Sequence, residues 1–257
     1  PLRAGNAVRP LVDGEPAFRR ICLAVEAAHR SVWVTVAFLE PDFALPDGRG
    51  SLFDVLDRAR ARGTRWHARW DQAHGSYCQH QKSWLVDAGA RGEIAFVGGI
   101  NLGPDSVVPP GHPPTAIGNT HDVYLELRGP AATDVYHNFV QRWNEASDRG
   151  EADGCWPNAS AQSQLVFPQA LTPPVGEVPV QIQRTVRRDR YRDGTPAPGG
   201  KPFDIAAGEL AVVDRYRRAV EAAERTIYIE GQAIGSPEIV DRLHAALDPA
   251  CYGGETP

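Results

Sequence analysis

Residues 31–39, SVWVTVAFL, are almost continuously apolar and rich in β-branched side chains. That is the pattern of a strand buried on both faces. Ahead of it, residues 16–30 place Phe18, Ile21, Cys22 and Val25 at helical spacing. The passage from helix into buried strand occurs twice, because residues 219–228 (AVEAAERTIY) repeat residues 24–33 (AVEAAHRSVW). Ser236-Pro237-Glu238 then opens a second helix, much as Ser51 does in the first copy.

Between the copies the pattern alternates further. Residues 41–50 form a loop of Pro, Gly and Asp, and Ser51 with Asp54 offers a helix cap ahead of the stripe Leu52, Val55, Leu56 and Ala59. Residues 64–70 and 123–127 read as strands. Pro130 opens an amphipathic helix carrying Ala132, Val135, Tyr136, Phe139, Val140 and Trp143. Residues 148–208, broken by Pro and Gly, read as an irregular connection with one strand over 178–186.

The residues with most chemistry lie at 80–101. His80, Lys82, Trp84 and Val86 alternate with Gln81, Ser83, Leu85 and Asp87, so in a strand His80 and Lys82 project side by side. A turn at residues 88–92 and a returning strand at 93–97 follow. Gly98 and Gly99 then allow close approach of backbone and ligand before Asn101. An imidazole, an ammonium and a carboxamide on one hairpin suit a phosphate. A phosphodiester is a poor electrophile and needs a placed nucleophile, donors to its non-bridging oxygens and a proton for the leaving alkoxide. His80 fits the nucleophile, and Lys82 and Asn101 fit the oxygen clamp.

This stretch resembles the signature of the phospholipase D superfamily: His-x-Lys, four residues, Asp, then Gly-Gly-x-Asn. His80, Lys82, Asp87, Gly98, Gly99 and Asn101 fill it. The likeness extends to the strand after Asp122, the helix after Gly129-Pro130 and the segment Ile227–Gln232, and is to the bacterial phospholipase D-like branch. It implies an α/β fold, an α-β-α sandwich with a mixed sheet. Residues 8–149 would form one complete unit, 150–208 a connection and 209–257 the opening of a second unit. It also implies a phosphohistidine on His80 and no metal or other cofactor. Asp122 is the candidate partner for the second His80 nitrogen. Asp87, of opposite parity to His80, is expected to anchor the turn through backbone hydrogen bonds. Gly98 and Gly99 are expected at the substrate with Lys82 and Asn101, and Glu230 and Gln232 are candidate contributions from the second unit.

Two departures accompany the resemblance. The segment from Gly63 to His80 is short, so a core strand is expected to be missing or replaced. The second signature, whose histidine would be the general acid, is absent. The chain starts at Pro1, lacks methionine and has begun a second unit, so a fragment is expected; a homodimer pairing two single sites is the alternative if the chain is complete. A metal reading of His74, Cys78 and His80 is opposed by Lys82, and no matching pair occurs downstream. His67, His112 and His137 have no chemical context and are expected at the surface. The four cysteines form no Cys-x-x-Cys.

The leading function is hydrolysis or transphosphatidylation of phospholipids, with peripheral membrane contact. The net charge of −5 gives no global basic field and disfavours nucleic acid. Arg184, Arg187, Arg188, Arg190 and Arg192 form a local run suited to a solvated face or to anionic groups. The alternatives are a nucleic-acid phosphodiesterase using the same site and a catalytically incomplete phosphate binder. No stretch is long and apolar enough to span a bilayer. A soluble or peripheral protein is expected, cytoplasmic by preference.

Overall fold

A computed structural model describes residues 1–40, 43–70, 80–111, 120–148, 164–231 and 234–246. Contacts divide the chain into two compact units, one of residues 1–182 and 195–202, the other of residues 183–194 and 203–257.

In the first unit the elements run β1 (Arg3–Val12), α1 (Gly14–Glu26), β2 (Ser31–Val36), α2 (Leu52–Ala61), β3 (Arg65–Trp70), β4 (Ser83–Val86), β5 (Ile94–Gly98), β6 (Val123–Arg128), α3 (Pro130–Asp148) and β7 (Val178–Val180). The strands make one sheet ordered β3-β2-β4-β5-β6-β1-β7. β2 and β3 are parallel, and every other neighbouring pair is antiparallel. The sheet is therefore mixed, and helices cover both faces.

Side-chain parity decides which layer each strand residue meets. Val32, Val34, Val36, Trp84, Val86, Phe96 and Tyr124 pack with Phe18, Ile21 and Val25 of α1 and Leu52, Val55 and Leu56 of α2. Trp33, Leu85, Ala95 and Leu127 face the other way, onto Val135, Phe139, Val140 and Trp143 of α3. All six residues of β2 are buried, as a central strand with a continuous apolar run requires. The cap at α2 is a full capping box: Asp54 N–H donates to Ser51 Oγ at 3.2 Å, and Ser51 N–H to Asp54 Oδ2 at 2.8 Å.

Several sequence expectations change. β1 is a strand that RAGNAVRPLV conceals with Gly5, Pro10 and two arginines. It forms because six residues from Ala7 to Val12 pair with β6. Pro10 is tolerated because β7 pairs only at Arg3 and Asn6, leaving Pro10 beyond it. The short segment after Gly63 supplies β3 at the edge of the sheet, and residues 71–79 lie outside the described residues. His67 and His137 are not surface residues. His67 packs edge-on to Trp33 and Trp143, at 5.8 and 4.9 Å between ring centres. His137 is buried, its Nε2 2.7 Å from the Thr195 carbonyl.

The second unit holds a two-stranded sheet of β8 (Thr185–Val186) and β9 (Glu209–Leu210), followed by α4 (Ala211–Glu221) and α5 (Pro237–Ala246). Its small core is Val186, Tyr191 and Ile205. Arg184 of the basic run is paired with Glu209 at 2.7 Å. The expected strand over 178–186 is thus two short strands in different sheets. The repeated helix forms, and so does the helix after Ser236, but the repeated strand does not. Residues 226–231 are irregular, with Ile227, Tyr228 and Ile229 exposed. In the first unit β2 lies between β3 and β4; among the described residues of the second unit no strand flanks this segment, so its backbone has no ladder to join.

Candidate active site

The antiparallel order of the central strands gathers the signature at one end of the sheet. β2 ends there, running on to Phe38; β4 begins there, after His80 and Lys82. β5 ends there, with Asn101 beyond it, and β6 begins there, after Asp122. Thr35 pairs with Ser83, Ser83 with Val97, and Gly98 with Tyr124, which fixes the four strand ends side by side.

His80 and Lys82 precede β4, which starts at Ser83 rather than at His80. Their shared face nevertheless holds. Lys82 Nζ lies 3.0 Å from Nδ1 and 3.1 Å from Nε2 of His80 and donates to whichever nitrogen is unprotonated. Lys82 is buried and His80 exposed, so the ammonium lies beneath an accessible ring. The His80 pKa is lowered, first by desolvation and then by the Lys82 charge; the Asp122 carboxylate opposes both. Both of the lowering effects favour the neutral form of the ring. Gln81 turns to the opposite layer, where Arg142 of α3 donates to its Oε1 at 3.0 Å.

Asp122 stands within electrostatic reach of His80 but makes no hydrogen bond to it. Its Oδ1 instead accepts from Val123 N–H at 2.7 Å. The glycine pair explains how Asp122 comes so near the end of β5. A Cβ on Gly99 would lie 2.3 Å from both Asp122 carboxylate oxygens, and one on Gly98 would lie 2.2 Å from the Val123 carbonyl. Gly98 therefore cannot carry a side chain while β6 keeps its place, and a side chain on Gly99 would displace the Asp122 carboxylate.

Asn101 is half-buried, and its Oδ1 accepts from the Phe38 backbone N–H at 3.3 Å. This tethers the oxygen end of the carboxamide and orients Nδ2 as the donor end. Phe38 is a site residue that the sequence did not flag. Its ring also packs edge-on to His80, with ring centres 5.6 Å apart, so one residue buttresses both the imidazole and the carboxamide. At the end of a long apolar run, a phenylalanine carries no chemical signal that separates it from core.

Asp87 accepts backbone N–H groups from His29, Arg30 and Ser31, the turn that feeds β2, with the closest contact 2.6 Å. Its φ of 54° suits the left-handed region that Asp tolerates. Glu230 belongs to the second unit, where Tyr228 donates to it at 2.8 Å. Gln232, His74, Cys78 and His112 lie outside the described residues. Among the described residues no group of three or more His, Cys, Asp or Glu could hold a metal ion.

An imidazole–carboxylate pair, also unflagged, stands at the same end of the sheet. Asp13, where β1 ends, meets His121, just before β6, with Oδ1 2.6 Å from Nδ1. Asp13 is the residue ahead of α1, where an aspartate ordinarily caps the first N–H groups of the helix. Here its side chain makes no such bond. Its backbone at φ 69°, ψ 154° occupies a region almost reserved for glycine, at a cost of about 1–3 kcal/mol.

No family model matches the chain. The sequence is 36% identical over 61% of its length to phospholipase D beta 2 of Arabidopsis thaliana, covering 22% of that protein. It is 28% identical over 56% of its length to cardiolipin synthase A of Pseudomonas aeruginosa, covering 34% of that protein. The chain thus spans about a fifth to a third of the length of the curated relatives it matches. Among solved structures, NucT from Helicobacter pylori is similar over 49% of this chain and 86% of its own, at 15% identity and a TM-score of 0.29, a likeness too slight to argue from. Together with the filled signature, the sequence matches support a place for this chain in the phospholipase D superfamily.

Proposed function

We propose that this chain carries the catalytic half-site of a phosphodiesterase that hydrolyses or transphosphatidylates phospholipids through a phosphohistidine on His80. The observation that carries the reading is the buried Lys82 ammonium within 3.1 Å of both ring nitrogens of an exposed His80. An ammonium beside the ring keeps the imidazole unprotonated and stands ready to turn toward a phosphate oxygen. The Asn101 donor end serves the same oxygens. Phospholipid is preferred as substrate because the matched relatives are a phospholipase D and a cardiolipin synthase. The net charge of −5 disfavours nucleic acid. Attack by imidazole needs no metal, so turnover should survive chelation. Lys82, Asn101, Gly98 and Gly99 are assigned to substrate, and Asp122 to electrostatic support of the phosphohistidine.

The test is release of head group from phosphatidylcholine vesicles in the presence of EDTA, by the wild-type chain and by His80→Ala. Turnover that the substitution abolishes is the expected result. Equal turnover by both proteins would overturn the mechanism; cleavage of DNA but not lipid would transfer the site to nucleic acid.

A further inference from the structure

His80 and Lys82 lie outside the sheet ladder, since β4 begins at Ser83. Lys82 is still tied to the sheet: its carbonyl accepts from the Gly98 N–H at 3.3 Å, and its side chain is buried. Among the described residues, no backbone–backbone hydrogen bond holds His80 or Gln81. The side chain between the two is held instead. Gln81 Oε1 accepts from Arg142 Nη1 at 3.0 Å. Gln81 and Asn138 also exchange two longer amide bonds, each of 3.4 Å. Asn138 and Arg142 stand four residues apart on α3, so both reach Gln81 from one stripe of the helix. The helix is itself fixed, because Val135, Phe139, Val140 and Trp143 pack against Trp33, Leu85, Ala95 and Leu127 of the sheet. Arg142 is 4% exposed, which keeps water from competing for its contact with Gln81.

In an extended chain, neighbouring side chains point to opposite faces, so freeing the middle one of three lets the outer two turn with it. Resting on the phosphodiesterase reading, we infer that Gln81, anchored on α3 through Arg142, is a positioning residue that keeps the His80 ring over Lys82 and so aims it at the phosphate. The anchor acts across the sheet. Arg142 and Asn138 hold Gln81 on the α3 side, which leaves His80 on the other. There Lys82 Nζ meets both ring nitrogens within 3.1 Å, and Phe38 packs edge-on at 5.6 Å. The charges that move the His80 pKa are those of Lys82 and Asp122, so the uncharged Gln81 reaches the ring through position alone. Without the anchor, Lys82 stays where its burial and the Gly98 bond put it, and His80 swings out toward water.

The test reads His80 directly. The full chain and its Gln81→Met and Gln81→Glu variants are titrated by NMR at the His80 ring without substrate, and assayed on phosphatidylcholine vesicles. Gln81→Met keeps the length of the side chain but has no carboxamide for Arg142 to donate to. Its His80 midpoint should rise from the wild-type value toward about 6.5, because burial and the Lys82 charge both weaken as the ring moves out. Its turnover should fall about 10²-fold, the cost of a misplacement of about 1 Å. Gln81→Glu offers Arg142 an oxygen again and should recover most of that rate. Thermal melts show which variants fold, and Gln81→Ala replaces Gln81→Met if that one does not. A His80 midpoint or a turnover rate left unchanged by Gln81→Met, or a Gln81→Glu variant as slow as Gln81→Met, would overturn the inference. No turnover by the wild-type chain would remove the phosphodiesterase reading, and the His80 midpoints would then decide the positioning alone.

Discussion

Lys82 bears on His80 both as a donor and as a charge. Desolvation disfavours the imidazolium, and the adjacent ammonium disfavours it further, so the His80 pKa moves down from the ordinary histidine range. With the neutral ring as the proposed nucleophile, the acid limb of kcat/KM should lie below about pH 6.5. Lys82→Met removes one of the two depressing causes; its limb should move to higher pH, with a loss of about 10²–10³ in rate. Asn101→Ala should cost a similar factor without moving the limb. A limb at the same pH in wild type and Lys82→Met would show that the charge does not reach the ring. At this scale the sequence was legible wherever a residue type at a fixed spacing carries chemistry, as with His80, Lys82 and Asn101. It was silent on Phe38, whose contribution is a backbone N–H and a ring edge. The Asp13–His121 pair was hidden differently, by a separation of 108 residues that only the pairing of β1 with β6 closes.

At the scale of elements, the irregular stretch after α3 is fastened to the first unit rather than merely crossing it. Tyr136 Oη donates to the Val166 carbonyl at 2.9 Å, and Asn144 bonds both backbone groups of Leu165. Thr172 N–H donates to Thr133 Oγ1, and Thr172 Oγ1 donates to Glu93 Oε2 at 2.6 Å. Glu93 is 1% exposed, and burial pushes its pKa up to about 7 from 4.5. Between those values the unfolded chain has released this proton and the folded chain still holds it. Stability therefore falls as pH rises across that window and levels above it. Glu93→Gln cannot titrate, so its melting temperature should fall less from pH 5 to pH 8 than that of wild type. An identical fall in both proteins would assign the slope to other groups. None of these fastenings could be read from the sequence, since Thr, Asn and Tyr in a Pro-rich stretch look like solvated loop. The α2 cap and the α3 stripe could be, because they depend on local spacing alone.

At the scale of the whole molecule, the site exists because an antiparallel run of strands returns the chain repeatedly to one edge. β4 and β6 begin where β2 and β5 end, so residues from 38 to 122 meet there. That arrangement was anticipated through the resemblance and the hairpin pattern. β1 was not, because its pairing with β6 outweighs a sequence poor in strand formers. The repeated strand fails in the opposite sense: residues 226–231 have strand composition, but β composition becomes a strand only beside another one. Among the described residues no helix is long and apolar enough to cross a membrane.

The central claim is that His80 becomes covalently attached to phosphorus. The direct measurement is to mix the chain with phosphatidylcholine, quench in alkali to preserve phosphorus–nitrogen bonds, and analyse the peptide spanning His80 by mass spectrometry. A phosphatidyl adduct on His80, read as its glycerophosphoryl form once alkali has removed the acyl chains, is expected to form during turnover and to be missing from His80→Ala. Turnover with no adduct on His80, or an adduct that persists in His80→Ala, would contradict it.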